Sequence, residues 1–122
     1  MNLLLIGTTE QTSEFMAGIW PALHEPIDLC DAADFRPRAQ AGTLILRNAD
    51  AMPVARQTAL FAWLDAADGT GVVTTACTPL FPRVEAGLFL AALYYRLNTI
   101  TIDLTAGAAV AMPDLSRRAL AV

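Results

Sequence analysis

Charge is scarce in this chain of 122 residues. Asp, Glu, Lys and Arg together make up 16% of it, against about a quarter of an average globular domain. The few charges lean acidic, giving a formal net charge of −4 and a pI near 4.7. Such a surface repels phosphate backbones, so no direct nucleic-acid binding is expected. Long apolar runs are missing as well. None approaches the roughly 20 residues needed to cross a bilayer, so no membrane partner is expected. The apolar start, Met1 to Ile6, has no basic region before it, and Gly7-Thr8-Thr9-Glu10 ends it too early for a secretory signal. The expected location is cytoplasmic. Cysteine is nearly absent, and Cys30 and Cys77 match no metal-ligand spacing. Both sit in apolar stretches, which predicts buried reduced thiols and no bound metal. The single histidine, His24, stands beside Glu25 with no serine or cysteine partner to argue for, and suits a surface or helix end. Asp28, Asp31 and Asp34 lack the glycine and glutamate pattern of a calcium loop and read as solvated charges.

What is present in excess is apolar surface, with 55% of residues hydrophobic. A chain of this length forms one core. The surplus calls for a parallel sheet covered on both faces, a subunit interface, or both.

The chain order supports the sheet. Asn2 to Ile6 is an aliphatic run closed by glycine, as in a buried parallel strand. Thr8 and Gln11 have capping-box spacing, and Phe15, Ile19 and Leu23 then share a helical stripe that Pro21 ends or kinks. Ile27 to Cys30 suits a second strand and Thr43 to Leu46 a third. Met52-Pro53 opens a helix expected to reach about Ala67, because proline is favoured in a first turn. Asp68-Gly69-Thr70-Gly71 is a turn signal, and the β-branched stretch from Gly71 to Thr75 a fourth strand. Pro79 to Leu97 reads as helix in two pieces, broken near Gly87. Ile100, Ile102 and Leu104 alternate in a fifth strand. Tyr94, Tyr95 and Trp63 are expected in the core. Strands alternating with helices imply right-handed crossovers and an α/β fold with a mostly parallel sheet.

Two segments carry a family resemblance. Gly42-Thr43-Leu44-Ile45-Leu46-Arg47-Asn48-Ala49-Asp50-Ala51-Met52-Pro53, followed by Gln57, Leu60 and Leu64, resembles the Walker B segment G-T-L-F-L-D-E-I-G-E-M-P of bacterial sigma-54-dependent transcription activators. Val84-Glu85-Ala86-Gly87-Leu88-Phe89-Leu90-Ala91-Ala92-Leu93-Tyr94-Tyr95-Arg96-Leu97-Asn98 is similar to the family's V-E-x-G-R-F-R-x-D-L-Y-Y-R-L-N. Val72 to Cys77 lies where the family has the strand V-I-A-T-T-N. Upstream, Leu3 to Glu14 sits where the family has a strand, the phosphate loop G-E-S-G-T-G-K-E and a helix. Between Cys30 and Gly42 only about a dozen residues stand where the family has several dozen, including the G-A-F-T-G-A loop that touches sigma-54. The resemblance implies a three-layer P-loop-NTPase-like core of the AAA+ type with a five-stranded sheet over residues 1–104. It implies no lid domain, and leaves 105–122 as a tail or short helix.

The resemblance also says where chemistry would have been. A phosphate loop needs glycines that curl backbone N–H groups round the phosphates, and a lysine for charge. Aligned on Gly7, the later glycines become Glu10 and Thr12 and the lysine becomes Ser13. Walker B needs an aspartate for magnesium and a glutamate for water; Arg47 and Asn48 stand there. The strand-four asparagine falls at Cys77, and the arginine-finger positions at Leu88 and Leu90, with only Arg96 kept. The implication is a pseudo-ATPase with no catalytic residue and no resident cofactor. The turn at Gly7, Thr8, Thr9, Thr12 and Ser13 retains at most a weak nucleotide site, the basis of an alternative reading as a nucleotide sensor without hydrolysis. Leu88, Leu90 and Arg96 are the candidate interface to a protein partner or a second copy. A receiver-like domain is a lesser alternative, since the third strand ends in Leu46-Arg47 where a receiver has aspartate.

Overall fold

The structure, a computed structural model, describes residues 2–37, 42–66 and 70–106. The expected turn residues Asp68 and Gly69, the helix end at Ala67 and the tail beyond Ala106 lie outside these. Five strands form one sheet: β1 (Asn2–Ile6), β2 (Ile27–Asp31), β3 (Thr43–Arg47), β4 (Gly71–Ala76) and β5 (Ile100–Asp103). Their order is β2-β3-β4-β1-β5, and all four pairings are parallel. The expectation of a mostly parallel sheet thus sharpens to a wholly parallel one among the described strands.

Helix α1 (Thr9–Ile19) covers one face, and α2 (Val54–Ala66), α3 (Phe81–Glu85) and α4 (Ala91–Leu97) cover the other. This gives three layers. Strand alternation sorts the side chains: Leu3, Leu5, Ile45, Val73 and Ile102 pack under Phe15 and Ile19 of α1. Their neighbours Leu4, Ile6, Leu44, Leu46 and Val72 pack with Leu60, Leu64, Leu93 and Leu97 on the other face. Side chains at successive strand positions point to opposite faces, so an unbroken aliphatic run such as Leu3 to Ile6 serves both.

The helix boundaries have local causes. Thr8 caps α1: its hydroxyl accepts from the Gln11 N–H at 3.1 Å, and the Gln11 side chain accepts from the Thr8 N–H at 2.9 Å. At the other end Pro21 enters a 3-10 turn over Trp20–Ala22, and Leu23 is half-buried against the α1-side core. The break between α3 and α4 falls at Gly87, whose φ of +76° suits glycine best. Gly42 is required by proximity, because a Cβ there would meet the Glu25 carbonyl oxygen at 2.5 Å.

Three expectations need correction. Cys77 is exposed, because β4 ends at Ala76 and carries the next residue past the sheet; Cys30 is half-buried on edge strand β2. Tyr95 is 66% exposed and belongs to the surface, whereas Trp63 packs edge-on against Phe35 with ring centres 5.9 Å apart. The fifth strand ends at Asp103, and Leu104, expected in it, is buried and opens a 3-10 turn through Ala106. No helix among the described residues is long and apolar enough to cross a membrane.

Candidate functional site

From β1 the chain crosses to β2 at the far edge of the sheet, whereas β4 leads the opposite way to β5. Connections leaving neighbouring strands in opposite directions open a crevice at their carboxyl ends, the place where open α/β sheets take ligands. The phosphate-loop and Walker B positions meet there.

Their local structure differs from a phosphate loop. Only Gly7 and Thr8 separate β1 from the first residue of α1. Gly7 donates its N–H to the Ala76 carbonyl at 2.9 Å, and a Cβ on it would meet Gln11 Oε1 at 2.8 Å. The Thr8 and Gln11 side chains then close the helix end on itself. Thr9, Thr12 and Ser13 are residues of α1, not of a loop. The Thr12 hydroxyl lies 3.1 Å from the Thr8 carbonyl and 3.2 Å from that of Thr9. A two-residue turn leaves no arc of free N–H groups to wrap a phosphate. The sequence carries a further signal that position-by-position comparison passes over: it contains no lysine at all, and its eight basic residues are all arginine.

At the ends of β2 and β3, Arg47, Asn48 and Asp31 form a polar cluster. Arg47 Nη2 lies 3.6 Å from Asp31 Oδ2, and Asn48 Nδ2 donates to Asp31 Oδ1 at 3.3 Å. Both partners of the ion pair are about half exposed, so it contributes at most about 1 kcal/mol. Asn48 has φ of +61°, a left-handed conformation that asparagine tolerates better than most residues. Its N–H donates to the Thr75 hydroxyl at 3.2 Å, joining the ends of β3 and β4. Cys77 donates its N–H to Asp50 Oδ1 at 3.4 Å. Among the described residues no group of His, Cys, Asp and Glu is arranged to hold a metal.

A groove of about 320 Å³ runs between α1 and strands β2 to β4. Thr9, Thr12, Ser13, Arg47, Asn48 and Thr75 line its end near the strand termini. Met16, Ala17, Trp20, Leu29 and Ile45 line the rest. Since α1 is the one described helix on this face, the β2 side stays open, and Leu29 is 46% exposed.

The candidate interface lies on the opposite face of the sheet. Leu88 is 51% exposed, but Leu90 is half-buried against the core and donates its N–H to Gln57 Oε1 at 2.8 Å. Gln57 is wholly buried, and its amide nitrogen donates to the Met52 and Leu88 carbonyls, each at 2.9 Å. One α2 side chain thereby fixes the Leu88–Leu90 stretch. Arg96 works within the chain. It donates to the Leu64 carbonyl in the last turn of α2 at 2.9 Å, and to Asp65 at 3.3 Å, where a cation also suits the helix dipole. Tyr94 links Phe81 and Tyr95 in a run of ring contacts 5.8 and 5.3 Å between centres.

The profile of the family described as the sigma-54 interaction domain matches residues 4–106. Among solved structures, the chain is similar to NtrX from Brucella abortus, with a TM-score of 0.66 and 15% identity over 84% of this chain. NtrX from Brucella abortus in complex with ATP is similar too, with a TM-score of 0.65 and 16% identity over 84%. Likeness at these identities shows the fold. The chain spans about a third of the length of those structures, 32% and 31%. No curated protein matches it in sequence.

Proposed function

This chain belongs to the sigma-54 interaction domain family, and from that premise we propose that it is a non-catalytic member, a protein-interaction module in transcriptional regulation. The observation that carries the reading is the closed start of α1. The Thr8–Gln11 capping box occupies the place where a phosphate loop has to open. With no lysine in the chain and Arg47 at the magnesium position, neither the triphosphate nor its metal finds the charge it needs. The same features argue against the nucleotide-sensor alternative, because Glu10 adds a carboxylate to the first helical turn.

The surface that would do the work is the α3–α4 segment. It exposes Phe81, Leu88 and Tyr95, large apolar and aromatic side chains of the kind that anchor protein interfaces. Gln57 and Arg96 hold that segment on α2, so the surface is presented rigidly. Leu88 stands at a position where the family places an arginine directed at a neighbouring subunit. An apolar replacement suits a partner of the same family, either a second copy or an active ATPase subunit.

Sedimentation of the chain alone, and mixed with an ATPase domain of the family, tests this. Association that Leu88→Arg abolishes is the expected result. A monomer at high concentration that ignores the family domain, or an association untouched by Leu88→Arg, overturns the reading.

A further inference from the structure

The groove between α1 and β2–β4 is on the other face of the sheet from the α3–α4 surface, and it has a chemistry of its own. At about 320 Å³ it falls at the small end of ligand pockets. Its lining is segregated. Met16, Ala17, Trp20, Leu29 and Ile45 make an apolar trough, and Trp20 and Leu29 are 42% and 46% exposed along it. The hydroxyls of Thr9, Thr12, Ser13 and Thr75 lie at the other end with the Asn48 amide. Among the described residues Arg47 is the one charged residue in the lining, and no carboxylate belongs to it. The nearby Asp31 holds Arg47 only through a half-exposed contact of 3.6 Å. A guanidinium has five N–H donors in a fixed fork, so one loose carboxylate contact leaves donors for a second anion.

We infer that this groove binds a small organic monoanion, a carboxylate on an aromatic or branched apolar body. The carboxylate would meet Arg47 and the surrounding hydroxyls, and the body would lie along Trp20, Leu29 and Met16. The single guanidinium and the apolar trough beside it are what separate this ligand class from a magnesium nucleotide. Arg47 shares its charge with Asp31, so what it offers a ligand is its remaining N–H donors, enough for one carboxylate and too few for a triphosphate. Trp20 gives the apolar body a flat, half-exposed ring to cover, which removes apolar surface from water on both partners.

The test is a titration of the full chain with phenylacetate, 3-phenylpropionate and indole-3-acetate, each beside its uncharged primary amide, followed by the backbone amide shifts of Thr12, Ala17 and Thr75. At least one carboxylate is expected to give saturable shifts with Kd on the order of 0.1–1 mM. Its amide is expected to bind about five- to tenfold more weakly, and Arg47→Gln to reduce the acid to the level of the amide. Ala17→Phe, which fills the trough from an exposed helix position, is expected to abolish binding while the far-ultraviolet circular dichroism stays unchanged. No saturable shift at these amides up to about 5 mM of any carboxylate overturns the inference. So does equal binding of acid and amide, or unchanged binding by Arg47→Gln.

Discussion

The two faces of the sheet are unequally built. Among the described residues, the α2–α3–α4 side buries sixteen apolar side chains in one cluster and the α1 side eight. The thicker face also holds the strings that most resemble the family. Leu60, Leu64, Leu93 and Leu97 form its core, and Gln57 and Arg96 tie its helices together. The departures from the family at the phosphate-loop and Walker B positions, Ser13, Arg47 and Asn48, sit on the α1 side or at the strand ends, whereas Leu88 and Leu90 depart from it on the thicker face. The family character that remains is the part that packs. On the proposed reading the reaction and the fold rest on different residues, so the fold persists without the reaction.

The contrast breaks most sharply at Gln57. Gln57→Leu keeps the volume but leaves the Leu90 N–H and the Met52 and Leu88 carbonyls without their partner. The expected loss is about 3 kcal/mol of unfolding free energy in urea, a large share of a small domain's stability. A loss below about 1 kcal/mol would mean that α2 does not hold the Leu88–Leu90 stretch. On the thinner face, Thr8→Ala removes one half of the capping box and is expected to cost about 1 kcal/mol in the same assay. At the open β2 edge, Leu29→Ser is expected to change stability by less than about 0.5 kcal/mol, because nearly half of the side chain is already in water. A cost near that of a core leucine would show the groove to be covered, and the two faces to be alike.

Much of this was legible in the sequence. Aliphatic runs bounded by glycine marked the strands, as at Asn2–Ile6, and the Thr8–Gln11 spacing marked the start of α1. The break near Gly87 followed from a residue that alone adopts its backbone conformation easily. Less was legible where tertiary placement decides. Nothing in a β-branched run says that it ends one residue before Cys77 and leaves that thiol in water. The burial of Leu90 and the exposure of Leu88 depend on a hydrogen bond from a helix more than thirty residues earlier in the chain. Among the described residues, the groove arises because one helix covers a face wide enough to leave β2 bare. That is a property of the assembled layers, which no local pattern carries. The Thr8–Gln11 spacing already put the aligned Thr9, Thr12 and Ser13 inside α1, but the hydrogen bond that ties the turn at Gly7 to Ala76 shows only in the assembled sheet.

The most direct test of the central claim is calorimetric titration of the purified chain with ATP and magnesium, and separately with ADP. A closed α1 start and a chain without lysine lead us to expect no saturable heat at high micromolar protein, and no phosphate release on prolonged incubation. Saturable binding, or any hydrolysis abolished by a substitution at Gly7, would contradict it and make the crevice a working nucleotide site.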